Sequence, residues 1–269
     1  MSINTAIRLF AITASYLLVS PSNAQMNHLG DFALLDSKGQ FHQLTRYSDM
    51  DAVLLYVNQD NCELSDWAVS HLASFTSNFR DSIPLLALNN GSLSRSVERL
   101  SDRNIPVLLD ESGYIFQALN LSKGGALLLL DPATLEYGEL SKEFAGALRI
   151  FNVAQSNQLK AILNAIEPVS CELQTQPFQE YQQNPSYIED VAPILELRCS
   201  YCHREGGSAP WAMSDHRMIQ GWAPMIREAL LTQRMPPGQI DADHERFDGL
   251  SHITTGERIT LINWIDAGA

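Results

Sequence analysis

Basic residues are scarce in this chain of 269 residues. Only 18 lysines and arginines stand against 31 aspartates and glutamates, which gives a net charge of −13 at pH 7. Binding to nucleic acid or to an anionic membrane surface depends on clustered positive charge, so the composition argues against both kinds of partner. A net negative charge is consistent with a basic redox partner protein, and it also favours solubility when no such partner exists.

Long apolar runs are also scarce. The N-terminal segment has the single charge Arg8, an apolar run over about residues 9–19, and then Ser22-Asn23-Ala24, with small residues where signal peptidase cleaves. The run is shorter than the ~20 residues that a spanning helix needs, and no later stretch is long enough. We expect residues 1–24 to be a cleaved signal peptide and the mature protein to be periplasmic or secreted, without a transmembrane span.

Cysteine is rare, and two of the four cysteines fall in one motif, Cys199-Ser200-Tyr201-Cys202-His203. This spacing is typical of c-type haem attachment, in which each thiol forms a thioether with a haem vinyl group and the histidine is the proximal iron ligand. A zinc site would need two further ligands, normally a second close pair. A redox dithiol would lie at a strand-to-helix turn, whereas this motif follows a helical pattern. We predict one covalent haem c, bound by Cys199, Cys202 and His203.

The sixth iron ligand has several candidates. Met235 follows an amphipathic segment, residues 222–233, and precedes Pro236-Pro237, where the chain must leave the helix and the thioether can face a fixed point. Met213 is close in sequence to His203, which leaves little chain for reaching the opposite haem face. Most buried methionines serve packing alone. We predict Met235 as the distal ligand; the other candidates are Met213, Met218, Met225, His216, His244 and His252.

The remaining cysteines, Cys62 and Cys171, form an even pair in an oxidising compartment. No second cysteine lies near Cys62, where the sequence is Cys62-Glu63-Leu64-Ser65. Two interpretations stay open. The pair forms a structural disulfide across 109 residues, or Cys62 is a reactive thiol whose pKa is lowered at a helix N-terminus.

Residues 25–166 alternate between apolar runs and helical patterns. A hairpin is predicted around the turn Ser37-Lys38-Gly39-Gln40. The apolar runs are typical of buried strands, and the last helix shows a clear apolar period. The order of the elements predicts a thioredoxin-like α/β sandwich. The predicted strands are residues 52–57, 83–88, 107–110, 126–130 and 135–140, and the predicted helices are residues 62–79, 94–103 and 157–166.

The second half of the chain differs in composition and pattern. Residues 167–185 are rich in proline and glutamine, which predicts a linker. In residues 186–269 a helical stripe leads into the haem motif, and Thr254 with Glu257 forms a capping box before a C-terminal helix. Two such helices cross in small single-haem cytochromes. We therefore predict a small all-α cytochrome c domain after the thioredoxin-like sandwich.

Two features of the first half have a parallel in a known family: the Asp31-Phe32 opening of the hairpin and a cysteine just after the central strand. Residues 26–166 resemble the redoxin branch of the thioredoxin superfamily, which is related to the peroxiredoxins. The site departs from that family, because Gln59 stands where a peroxiredoxin-like site has threonine and Gly125 replaces the superfamily's cis-proline. The resemblance thus implies the fold, with a non-catalytic domain that serves docking or structure.

The second half has a more specific parallel. The haem motif is followed by Gly206-Gly207-Ser208-Ala209-Pro210-Trp211, Gly221-Trp222-Ala223-Pro224-Met225-Ile226-Arg227, Arg234-Met235-Pro236-Pro237 and Trp264-Ile265-Asp266-Ala267-Gly268-Ala269. These segments resemble the cytochrome c module that follows a redoxin-like domain in proteins carrying a copper type II ascorbate-dependent monooxygenase domain. The resemblance implies His203 as proximal and Met235 as distal ligand. It does not extend to the copper domains, so monooxygenase activity is not carried over. A separate copper monooxygenase, or another exported oxidoreductase, is a partner suggested by analogy alone.

Together these observations predict an exported electron carrier. His/Met ligation saturates the iron, raises its potential and leaves no open position for oxygen chemistry. The alternative is a redox enzyme, in which the haem loses Met235 and reacts with peroxide, or Cys62 acts as a thiol peroxidase or disulfide oxidoreductase. The electron-carrier hypothesis needs only the residues present. The enzyme hypothesis needs either an iron from which Met235 has dissociated or a Cys62 that is not in a disulfide.

Overall fold

The computed structural model describes most of the chain after the predicted signal peptide. The described residues are 27–60, 62, 64–91, 93–120, 123–140, 151–167, 171–172, 181–237 and 252–269. Residues 1–24, most of the predicted linker and the candidate ligand His244 lie outside them. None of the helices in the described ranges combines the length and the apolar character that crossing a membrane requires.

A six-stranded mixed sheet forms the centre of the first domain. In spatial order its strands are β1 (Asn27–His28), β9 (Glu136–Glu139), β8 (Leu127–Asp131), β4 (Val53–Val57), β5 (Leu85–Asn89) and β6 (Val107–Leu109). Strands β4, β5 and β6 are parallel, whereas β8 is antiparallel to both β4 and β9. Two short pairs lie outside this sheet: β2 (Ala33–Leu35) with β3 (Phe41–Gln43), and β7 (Lys123–Gly124) with β10 (Cys171–Glu172).

Helices cover the sheet on both faces. In the first domain they are α1 (Asp66–Phe79), α2 (Arg95–Ser101), α3 (Tyr114–Ala118) and α4 (Val153–Ile166), with a 3₁₀ turn at Leu44–Tyr47. A helix between two parallel strands, followed by an antiparallel pair and a closing helix, is the thioredoxin-like arrangement. The predicted α/β sandwich is therefore confirmed, and the predicted hairpin is the β2–β3 pair.

Alternation along the central strands produces two cores, because successive side chains of a strand point to opposite faces. Leu54 and Tyr56 belong to a buried cluster with residues of α1, α2 and α4. Val53, Leu55 and Val57 belong to a second cluster, which includes residues of α3, the hairpin region and the second domain. Every residue of β4 and β5 is buried, which explains why both strands are continuous apolar runs.

The second domain is built from helices. It contains a π-helical turn (Tyr187–Val191), α5 (Ala192–Arg198), α6 (His216–Leu231) and α7 (Thr255–Asp266), and residues 181–237 and 252–269 include no strand. The predicted capping box is confirmed, since Thr254 Oγ1 accepts from the Glu257 amide (3.2 Å) and Glu257 Oε2 accepts from the Thr254 amide (2.8 Å). Arg198 donates from Nε and Nη2 to the Glu257 carboxylate (3.0–3.1 Å), which ties α5 to α7 directly before the haem motif.

Several helix ends differ from the prediction, and side-chain caps explain them. Helix α1 starts at Asp66 and not at Cys62, because Ser65 Oγ accepts from the Ala68 amide (3.1 Å). Helix α6 starts at His216 rather than Trp222, with Asp215 Oδ1 accepting from the Met218 amide (2.9 Å). Helix α4 starts at Val153 rather than Asn157, behind a capping box at Asn152.

Helix α3 was not predicted, and it depends on a buried carboxylate. Asp110 is 1 % exposed, and its Oδ2 accepts from the Phe116 amide (3.0 Å) while its Oδ1 accepts from the Ser112 hydroxyl (2.9 Å). Burial raises the pKa of Asp110 to about 6, and these hydrogen bonds only partly oppose the shift. Ionising Asp110 at neutral pH therefore costs stability, although the ionised group orders the first turn of α3.

We expect Asp110 to make the fold less stable as the pH rises from about 4 to about 6. The folded state binds the proton more tightly than the unfolded state, so stability is lost as pH passes through that window, by about 3 kcal/mol in the limit. Urea unfolding across the window should show this slope in the wild type and not in Asp110→Asn. Parallel pH profiles for the two proteins would contradict the assignment.

Candidate redox sites

A disulfide joins Cys62 and Cys171, whose Cα atoms are 5.6 Å apart. Cys62 is 2 % exposed and lies in the loop that follows β4, before the first residue of α1. Cys171 is in β10, which pairs with β7 through the register Cys171 opposite Gly124. The structure thus confirms that Cys62 and Cys171 are paired. Cys62 lies before α1 rather than at its N-terminus, and a bonded pair at this position is compatible with a structural and with a redox-active disulfide.

Glycine at position 124 makes room for this disulfide. A Cβ atom placed on Gly124 would lie 2.8 Å from Cys62 Sγ, 2.9 Å from Gln59 Oε1 and 3.0 Å from Cys171 Sγ. Real Cβ atoms essentially never come that close to other atoms, so any side chain at 124 would displace the bond or the strand pair. The next residue, Gly125, has φ of +82° and donates to the Val57 carbonyl (2.8 Å). Gly125 therefore fixes the start of β8 against β4 at the place where the family has proline.

The substitution Gly124→Ala is expected to destabilise the oxidised protein by about 1–3 kcal/mol, the usual cost of overpacking a tight site. Because the overlap is mostly with the two sulfur atoms, the cost should fall when the disulfide is reduced. Urea unfolding of wild type and variant, with and without reductant, measures both quantities. An equal loss in the two redox states would show that Gly124 does not serve the disulfide.

A polar network at the carboxyl ends of β4 and β5 was not identified from the sequence. Asn58 and Asn89 are fully buried; Asn58 Nδ2 donates to Ser96 Oγ (3.0 Å) and Asn89 Nδ2 donates to Asp60 Oδ1 (3.2 Å). Ser96 Oγ also donates to Asp60 Oδ1 (3.1 Å). The network connects the loop that carries Cys62 to the start of α2. Its only sequence signal is a polar residue directly after each apolar run.

The haem motif forms a tight turn at the end of α5. Cys199 is the C-cap of that helix, and its carbonyl accepts from the amides of Cys202 (3.2 Å) and His203 (3.0 Å). Both thiols are unbridged and partly buried. Burial raises the pKa of the Cys199 thiol to about 11, and nearby Glu257 acts in the same direction. A thiol that remains protonated at neutral pH is unlike the activated thiol of a redox dithiol.

The imidazole of His203 is fixed by a backbone carbonyl. Its Nδ1 lies 3.0 Å from the carbonyl oxygen of Trp211. A carbonyl can only accept, so Nδ1 carries a proton, and in the neutral imidazole the lone pair is then on Nε2. Hydrogen bonds of this kind also orient the histidines of metal sites. Sequence analysis missed the role of Trp211, because the group that contributes is its backbone oxygen.

Aromatic rings continue from His203 toward the surface. The Trp211 ring centroid is 4.9 Å from that of His203 and 5.2 Å from that of Trp222, with the two indoles nearly parallel at 16°. Trp222 is 38 % exposed. The Met213 amide donates to the His203 carbonyl (2.8 Å). This bond holds the backbone of Met213 next to that of His203.

The candidate distal ligands occupy different environments. Met235 is 42 % exposed and lies just beyond the last turn of α6, while Met218 and Met225 are exposed on α6 itself. Met213 is partly buried against the core that the two domains share. His216 packs its ring against Tyr187 and Trp264, and His252 is partly buried. Within the described ranges, no group of three or more His, Cys, Asp or Glu side chains is arranged to bind a metal ion. The choice of Met235 stays a prediction.

Comparison with known proteins returns no matching family model and no matching curated protein. Among solved structures, an uncharacterised conserved protein from Geobacillus kaustophilus is 15 % identical, with TM-score 0.40 and coverage of 55 % of this chain and 90 % of its own. A peroxidoxin from Mycobacterium tuberculosis is 14 % identical, with TM-score 0.36 and coverage of 54 % and 97 %. The thioredoxin domain of a thiol-disulfide oxidoreductase from Bacteroides vulgatus is 11 % identical, with TM-score 0.35 and coverage of 53 % and 94 %.

Proposed function

We propose that this protein is an exported c-type cytochrome that transfers single electrons through one covalent haem in its second domain. The observation that carries the proposal is the hydrogen bond from His203 Nδ1 to the Trp211 carbonyl, next to two unbridged thiols in the Cys199-to-His203 turn. In the neutral imidazole this bond leaves the lone pair on Nε2, which is the state that a proximal iron ligand requires.

The residues present fit a haem. The turn supplies two thiols for thioether bonds and one oriented imidazole, and Met235 supplies a thioether sulfur. Large apolar side chains of the same domain are exposed to water, as expected where an apolar macrocycle would cover some of them; they are Ile188, Leu197, Tyr201, Met218, Trp222, Met225 and Met235.

A haem bound here would supply one-electron chemistry between ferric and ferrous iron. The protein's own residues have three tasks. Cys199 and Cys202 retain the group, the Trp211 carbonyl fixes the plane and tautomer of His203, and Met235 contributes a soft ligand that raises the potential and closes the sixth position. By analogy, the partner is another exported redox protein, such as a separate copper monooxygenase.

A second candidate, a thiol–disulfide oxidoreductase, is favoured by the first domain. The Cys62–Cys171 disulfide lies directly after the central strand of a thioredoxin-like fold. In such a reaction one thiolate of a partner dithiol attacks one sulfur, breaks the Cys62–Cys171 bond and forms a mixed disulfide. The partner's second thiol then attacks the mixed disulfide and the partner leaves as a disulfide, so its two electrons and two protons pass to Cys62 and Cys171, which become thiols. Fold and disulfide together support this chemistry more directly than they support a haem.

Two measurements separate the candidates. Optical spectra of the exported protein in both oxidation states should show a low-spin haem, which the double variant Cys199→Ala/Cys202→Ala should lack; a wild type without haem absorbance would rule out the carrier. Redox titration then addresses the disulfide. A reduction potential between about −120 and −270 mV would support the oxidoreductase, and one below about −300 mV would leave the bond structural.

A further inference from the structure

The first domain contacts the chain directly before the predicted distal ligand. Gln233, two residues before Met235, donates from Nε2 to the carbonyl oxygen of Ala33 in β2 (2.9 Å). The two residues are 200 positions apart in sequence, so this bond crosses from one domain to the other. It is anchored on a strand of the predicted hairpin, and it reaches the segment where α6 ends and the chain turns toward Met235.

The backbone at Gln233 needs such support. Its φ is +55°, in the left-handed region, and the amides of Gln233 and Arg234 donate to the carbonyls of Leu230 (3.2 Å) and Ala229 (2.9 Å). This is the helix-ending turn in which glycine is the usual residue, because a side chain there is strained. The hydrogen bond to Ala33 offsets part of that strain, and the direction in which the chain leaves α6 depends on the turn.

A second polar contact joins the same helix to the first domain. Arg227 of α6 donates from Nε to Asp266 of α7 (2.6 Å) and from Nη2 to the Tyr114 hydroxyl. Tyr114, at the start of α3, donates from its hydroxyl to Asp266 (3.0 Å) and is only 7 % exposed. The guanidinium also lies over the Tyr114 ring, 5.7 Å from its centroid. Helices α6 and α7 of the second domain are thus both linked to α3.

Buried apolar residues complete this contact. Leu230 and Leu231, in the last turn of α6, belong to the same buried cluster as Phe32 and Phe116 of the first domain. The end of α6 is therefore held on its apolar side by the shared core and at its turn by Ala33, with Tyr114 fixing the middle of the helix.

We propose that the thioredoxin-like domain positions the distal ligand of the haem: Gln233 and Tyr114 hold the end of α6 so that Met235 reaches the iron. This inference rests on the proposed haem function. The first domain then has a task that needs no thiol chemistry. Its hairpin and α3 support the end of α6, and with it Met235, the predicted sixth ligand of the iron. Gln233 and Tyr114 are positioning residues, since both act through Met235.

The test compares Gln233→Ala and Tyr114→Phe with a matched control. Gln220→Ala removes a glutamine side chain from α6, the helix that ends before Gln233, but Gln220 bonds within the second domain, to the Ala269 carbonyl. Exogenous imidazole competes with Met235 for ferric iron in the holoprotein. Loss of one neutral hydrogen bond should raise its apparent affinity about fivefold in Gln233→Ala. Tyr114→Phe loses two bonds to charged partners, Arg227 and Asp266, and should raise it at least as much. Both variants should have a lower reduction potential, and Gln220→Ala should change neither quantity.

A second substitution of Gln233 distinguishes the effect of its side-chain hydrogen bond from the effect of its strained backbone. Gln233→Gly also loses the side-chain bond but relieves the left-handed strain, so its imidazole affinity should rise less than that of Gln233→Ala. Holoprotein with Met235 bound and with imidazole affinity and potential unchanged in Gln233→Ala and Tyr114→Phe would overturn this inference alone. A wild type that contains no covalent haem would overturn it together with the proposed function.

Discussion

Met235→Ala is expected to abolish the sulfur-to-iron charge-transfer band of the ferric protein and to let carbon monoxide bind the ferrous iron. Alanine has no donor atom, so the sixth position opens, and loss of the soft thioether should lower the reduction potential by on the order of 0.1 V or more, a part of the ~0.8 V range that axial ligands set. The measurements are an optical spectrum, a carbon monoxide difference spectrum and a redox titration.

Met225→Ala is the matched control, because Met225 is also exposed but lies within α6. It should keep the band and the potential, and so should variants of Met213 and Met218. If the band survives in Met235→Ala and disappears in one of the other three variants, the ligand has been assigned to the wrong residue. If it survives in all four, the sulfur comes from another residue, and a wild type without the band would indicate a histidine or another group as the sixth ligand.

Loss of the Cys62–Cys171 disulfide is expected to lower the free energy of unfolding by as much as ~4–5 kcal/mol, the chain-entropy value for a loop of 109 residues. The bond links the loop after β4 to β10, so the unfolded chain gains much freedom when it is removed. Urea unfolding of the double variant Cys62→Ala/Cys171→Ala measures the loss. The haem spectrum should be unchanged, since Cys199 and Cys202 are untouched.

Alkylation under denaturing, non-reducing conditions provides the control for that prediction. Protein isolated from the oxidising compartment should take up no label at Cys62, and digestion should yield one peptide pair that contains Cys171. Stoichiometric labelling of Cys62 would contradict the structural interpretation. Formation of a sulfenic acid with peroxide would then identify a reactive thiol and favour the enzyme.

Much of the first domain could be predicted from the sequence because its central strands, β4 and β5, are buried on both faces. Continuous apolar runs such as 52–57 and 83–88 have few alternative structures when helical patterns lie between them. Helix α3 could not be predicted in this way. It is short, and it forms because the Asp110 carboxylate accepts amide and hydroxyl hydrogen bonds at its start, a contact that periodicity does not reveal.

The candidate sites show the same division between local and distant signals. The haem motif is visible because all its residues fall within five positions, and the even number of remaining cysteines pointed to the disulfide. The sequence gives no sign of the contacts that three further residues make. Trp211 contributes its backbone carbonyl, which any residue has. Gln233 and Tyr114 bond to partners that are distant in sequence, Ala33 and Asp266 respectively.

The most direct test of the central claim is extraction of the haem with acidified organic solvent from protein exported by cells that attach haem c. We expect the colour to stay with the protein, with a peptide containing Cys199 and Cys202 heavier by one haem in a mass spectrum, because thioether bonds survive the treatment. Haem that passes into the organic phase, or a peptide in which both thiols take up alkylating reagent, would contradict the claim that this chain is a c-type cytochrome.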